Sequence, residues 1–179
     1  MHRRLIAGGV LAAFASLATA ATVLGGREHV RILGKTSIEL TARLNPATAD
    51  SLLMVEDMKY RLGADGSTWV RFTVAAGEAV TLARVTLEQP VIKDLRLPQR
   101  DGGLLHVPTV QLRLCIGDRQ LQLPLQLRER HGYTESLILG ADALKNLGTV
   151  QAGSSFLHEP DCAPATISPV PTVNRSSGG

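Results

Sequence analysis

The chain has 179 residues, 44% of them hydrophobic but only 3% aromatic, so its core must be built from Leu, Val and Ile. Lys and Arg number 19 against 16 Asp and Glu, and the net charge of +3 gathers into no basic stripe, so neither nucleic acid nor an acidic membrane surface is called for. Two cysteines so far apart in sequence do not show the paired spacing of a thiolate zinc site.

Residues 1–20 read as a targeting segment. His2, Arg3 and Arg4 precede an apolar run from Leu5 to Leu17 that is short and rich in small residues, and Ala18-Thr19-Ala20 fits a small-x-small cleavage site. No cysteine follows the run, so a lipid anchor is not expected. Cleavage before Ala21 leaves no membrane span and removes Arg3 and Arg4, lowering the net charge to about +1. The style of the leader points to a bacterial periplasmic or secreted protein. Residues 21–162 then hold one domain, enough chain for a sizeable core.

Strands follow in order. His29 to Leu33 is short, and Ile38 to Leu44 places Ile38, Leu40, Ala42 and Leu44 on one face. Gly63 to Ser67 is a turn, Thr68 to Val74 carries Trp69 and Phe72, and Val80 to Leu87 follows a turn at Ala76-Gly77-Glu78. Arg100-Asp101-Gly102-Gly103 reads as a flexible hairpin tip. Val110, Leu112, Leu114 and Ile116 alternate with polar residues. After Gly117-Asp118 the same holds for Leu121, Leu123, Leu125 and Leu127, giving a hairpin with one buried and one wet face. Cys115 falls on the wet face, within reach of the C-terminal residues. Pro124 cannot donate a ladder hydrogen bond and belongs at an edge or bulge. Leu137-Ile138-Leu139 is a short apolar strand, and Ala141 to Leu147 a short helix ended by Gly148. Many short strands with regular turns imply an all-β barrel or sandwich. Residues 163–179, rich in Pro, Ser and Gly, have a composition that cannot bury a core and read as a disordered tail.

In an oxidising compartment, a Cys115–Cys162 disulfide is the economical reading of the two cysteines. His2, His29, His106, His131 and His158 show no ligand spacing, so no metal is expected, and no phosphate loop or Gly-x-Ser-x-Gly elbow occurs. No cofactor is expected.

One stretch points to a family. Ile38 to Leu44 runs into Asn45-Pro46-Ala47-Thr48, followed by Ser51 and Leu53. This resembles the strand and Asp-Thr-Gly-Ala turn of retropepsin-like aspartic proteases, with Asn45 where the catalytic Asp should stand. The order of further motifs is similar to a small bacterial subgroup labelled ATP-dependent zinc proteases. These are Gly25-Gly26-Arg27-Glu28-His29-Val30, Asp57, Gly66-Ser67-Thr68-Trp69-Val70-Arg71-Phe72, Glu88-Gln89-Pro90-Val91, and Arg130 through Leu137-Ile138-Leu139-Gly140. The resemblance implies a closed retropepsin-type β-barrel with one short helix. It also implies a cleft between the Asn45 turn and a flap, best matched by Leu97 through Arg100, Asp101, Gly102 and Gly103, with Ser51 beside the turn.

Aspartic proteases of this type pair one Asp from each subunit of a homodimer, and the two share a proton. An amide cannot serve as that base. Deamidation of Asn45 needs the next residue's N–H, which Pro46 lacks. The turn has also lost its Gly and the Thr that braces paired turns. Asp50 is the nearest other acid, and Asp50, Asp57 and Asp65 read as solvated loop residues. The expected function is therefore a periplasmic binding or accessory protein for an extended peptide or partner protein, with homodimerisation either kept or lost along with the paired turns. The alternatives are an active aspartic endopeptidase, or a structural or regulatory subunit of an envelope complex.

Overall fold

A computed structural model describes residues 22–76, 83–100, 102–129 and 135–162. In chain order the strands are β1 (Val23–Gly25), β2 (Arg27–Leu33), β3 (Ile38–Leu44), β4 (Ser51–Leu62), β5 (Thr68–Ala76), β6 (Ala83–Pro98), β7 (Leu104–Ile116), β8 (Arg119–Glu129) and β9 (Leu137–Leu139). Helix α1 (Ala141–Leu144) and β10 (Thr149–Gln151) follow. The protein is all-β with one short helix.

Eight strands pair in the order β2-β3-β9-β4-β5-β6-β7-β8, and two more pairings, β2–β7 and β4–β8, close them into a ring. The alternation in β2, β3, β7 and β8 turns Val30, Ile32, Leu40, Leu114, Leu125 and Leu127 into one shared core. Phe72 is fully buried among them. Strand β9 lies between β3, which it parallels, and β4, which explains its unbroken apolar sequence.

The expectation of many short strands is corrected: β4, β6, β7 and β8 have 12, 16, 13 and 11 residues. Each is long because it serves more than one neighbour. β4 pairs with β8 through Ser51–Val55 and with β5 from Glu56 onward, the register shifting between Glu56 and Lys59. Asp57 sits at that shift with φ 55°. It is a bulge residue within a strand, not a loop acid, and the extra residue bends β4 toward its second partner. β6 likewise leaves β5 at Pro90 and joins β7 at Val91. The expected strand start at Val80 and the turn at Gly77-Glu78 lie outside the described residues. Pro124 stands just before Leu125, where β4 begins to pair, so β8 is still an edge there.

The chain ends are tied to the ring. β1 pairs in parallel with β10, and residues 152–162 then run back along β2, with Gly26 N donating to Ser154 O and Phe156 N to Arg27 O. Cys115 and Cys162 form a disulfide. Cys115 is therefore buried, not on a wet face, because residues 156–162 cover that side of β7. The helix is also shorter than expected. Its α-helical part ends at Leu144, and the remaining turn closes through Asn146 N to Ala143 O and Gly148 N to Leu144 O.

Candidate active-site turn and adjoining groove

β3 delivers Asn45 to the open end of β9, where Asn45 N donates to Leu139 O at 2.9 Å. The next residues fold into an Asx turn: Ala47 N donates to Asn45 Oδ1, and Thr48 Oγ1 and Thr48 N both reach Asn45 O. The Asn45 side-chain oxygen is thus engaged in holding its own turn. Behind it, Ala141 N donates to Thr48 O and Asp142 N to Ala49 O. The buried Ser51 hydroxyl accepts the Gly140 N–H at 3.0 Å. Gly140 must lack a side chain, since a Cβ would come within 2.7 Å of Ala49 O. The turn, β9 and α1 therefore form one rigid frame, and Ser51 is a part of its bracing.

Asp50 and Asp142, described acids in or beside this frame, are engaged with other partners. Asp50 is exposed and accepts from Gln126 Nε2 at 2.9 Å. Asp65 lies in the β4–β5 turn and accepts from Ser67 N and Ser67 Oγ, and these two bonds hold its carboxyl below the ordinary value. Asp142 faces Lys145, and Glu135 pairs with Arg27.

The candidate flap is the β6–β7 hairpin. Leu97 pairs with Leu105, Gln99 N donates to Gly103 O, and Gly102 takes φ 83° beside the exposed Arg100. Asp101 lies outside the described residues, as do Arg130, His131 and the tail from 163 to 179. Between this hairpin's stem, β4 and the end of β8 runs a groove of about 590 Å³, lined by Leu52, Met58, Tyr60, Leu105, His106 and Leu127, with Arg128 and Glu129 at its side. Leu52 pairs with Ile138, which pairs with Arg43 on the other side. The groove therefore opens about 10 Å, or two strand spacings, from the Asn45 strand. Sequence reasoning missed it because its walls come from β4, β7 and β8, and the outer half of β4 has no clean alternation to read.

Tyr60 closes one side of the groove, its ring edge against His106, whose Nδ1 lies 2.8 Å from Asp94. Burial, then the charges of Asp94 and Glu129, raise the Tyr60 phenol above its usual 10.0. A group whose folded-state value is raised contributes stability below the unfolded value and loses it as pH climbs through the folded one. Tyr60→Phe should therefore unfold less readily than the parent above about pH 10 and lack the late phase of tyrosine ionisation at alkaline pH. Identical alkaline titrations would sink this assignment.

A family profile described as RimB-like, retropepsin-like aspartic endopeptidase RimB, matches residues 23–161. The chain belongs to the RimB-like family. A crystal structure of a Legionella pneumophila protein of unknown function (DUF785) superposes with a TM-score of 0.63 at 21% identity, covering 78% of this chain and 98% of that one. At that identity the likeness speaks for the fold. No curated protein matches. Within this RimB-like chain, Asn45 heads the turn that follows β3.

Proposed function

We propose that this RimB-like chain is a non-catalytic binding or accessory protein of the periplasm, recognising an extended peptide or a partner protein through the groove beside the Asn45 turn. One observation carries the reading: the turn after β3, held by Ala47 N to Asn45 Oδ1 and braced by Gly140 N to Ser51 Oγ, is headed by an amide that cannot act as a general base, next to an open apolar groove. Binding of an extended chain relies on backbone hydrogen bonds and side-chain pockets, and neither needs a carboxylate. Tyr60 and Leu105, both part-exposed, offer the apolar contact. The disulfide supports an oxidising compartment, and no described helix is long and apolar enough to cross a membrane.

The test uses unstructured peptides with the purified protein at acidic and neutral pH. The expected result is saturable binding without cleavage, weakened about tenfold by Tyr60→Ala or Leu105→Ala. Cleavage blocked by pepstatin would instead identify an active endopeptidase and overturn the reading. A stable envelope complex lost on deleting residues 163–179, with no peptide binding, would replace it with a subunit role.

A further inference from the structure

The face of the β2–β3 pair turned away from the core carries a second constellation. His29 pairs with Thr41 and Arg31 with Glu39, so His29 and Glu39 are diagonal neighbours on one face. The C-terminal segment adds Glu159. One ligand atom from each of His29, Glu39 and Glu159 lies within 4.8 Å of the others. His29 Nε2 stands 3.9 Å from Glu159 Oε1. We infer that these three side chains bind a divalent first-row transition-metal ion that staples the C-terminal segment to the β2–β3 hairpin.

Chemistry and preorganisation both support this. One imidazole nitrogen and two carboxylate oxygens form a borderline donor set suited to Zn²⁺ and its neighbours. Tetrahedral ligands about 2.1 Å from a zinc ion stand roughly 3.4 Å apart, so a small swing of the exposed carboxylates closes the site, and water can complete the shell. The His29 ring and the backbone leading into Glu159 are held in place. The His29 ring stacks on Phe156, centroids 4.5 Å apart, and Phe156 adopts φ 55° to lie there, a conformation that costs a non-glycine residue energy. Glu159 follows directly on His158, whose backbone N–H is held by the buried Glu28. Glu39 already accepts from Arg31 at 3.1 Å, so the ion must draw Glu39 partly away from that guanidinium. Cys115 and Cys162 are joined, and no free thiol competes among the described residues. The site is separate from the groove: Thr41, opposite His29, is four residues back along β3 from Asn45, about 13 Å.

Sequence spacing hid this set, because its members come from two strands and a segment some 120 residues further on. The test is calorimetric titration of the untagged, metal-stripped full chain with ZnCl₂ near neutral pH, alongside thermal unfolding with and without the ion. The expected result is one ion per chain and a melting temperature that rises with zinc, since an ion bound only by the folded state stabilises it. His29→Gln and Glu159→Gln should each weaken binding at least about tenfold, while His106→Gln should bind as the parent does. Glu159 is 73% exposed, so its replacement leaves the fold intact and any loss of binding is a loss of ligand. No binding by the parent would overturn the site, and equal binding by parent and Glu159→Gln would overturn it too, leaving an adventitious surface ion only.

Discussion

Replacing Cys115 and Cys162 together by Ser lowers the free energy of unfolding by about 4 kcal/mol, the chain-entropy value for a cross-link of this span. The bond joins residues 47 apart in sequence, so the oxidised unfolded chain is held in a large loop and loses conformational freedom. The native state should change little. Residues 152–162 stay in place through Gly26 N to Ser154 O, Phe156 N to Arg27 O and Asp161 N to Gly117 O, and His158 Nε2 lies 2.7 Å from Val23 O. The effect therefore belongs mostly to the unfolded ensemble. Guanidinium titrations should show a lower midpoint and a steeper dependence on denaturant, because the freed chain exposes more surface. Reductant added to the parent should reproduce the variant. A loss under about 1 kcal/mol would mean that the unfolded chain is already compact around this loop.

The ring of strands was legible wherever burial is one-sided. Ile38 to Leu44 and the Val110–Arg128 hairpin alternate cleanly because one face meets the core, and their bounds fall close to β3, β8 and the end of β7, although β7 itself begins earlier, at Leu104. Legibility fails where a strand serves two partners. Leu52-Leu53-Met54-Val55 lies between β8 and β9 and does not alternate, and the bulge at Asp57 then shifts the phase of the rest of β4. Cys115 was misplaced for a related reason: its face of β7 is polar in pattern, but residues far along the chain cover it. Asn45 was readable as a candidate because the resembled chemistry demands one residue type at such a turn. The groove and the His29 cluster were not, since nothing local links Leu52 to Leu105 or Glu39 to Glu159.

Glu28 was read only as one letter of a Gly-x-Arg-Glu motif, and the fold gives it a physical task with a large expected effect. Its side chain is fully buried. Oε1 accepts from Gly25 N at 2.6 Å and from Leu157 N at 3.2 Å, and Oε2 accepts from His158 N at 3.1 Å. One carboxylate thus ties the β1–β2 corner to the returning C-terminal segment, and Gly25 admits that segment because a Cβ would meet Ser154 O at 2.8 Å. Charge-assisted bonds are stronger than neutral ones, and buried donors left unpaired keep their full desolvation cost. Glu28→Ala should cost on the order of 3–5 kcal/mol. Glu28→Gln separates charge from shape: it keeps an oxygen for Gly25 and Leu157 but turns an NH₂ group toward the His158 N–H, donor against donor, for about 2 kcal/mol. Hydrogen exchange should speed up first at Gly25, Leu157 and His158, before the ring strands respond. The Glu28→Gln change should also weaken zinc binding at His29 and Glu159 without touching either residue, because it loosens the backbone that presents Glu159. A Glu28→Gln protein as stable as its parent, with unchanged exchange at those three amides, would show that the buried carboxylate is a passenger in the corner and not what holds it.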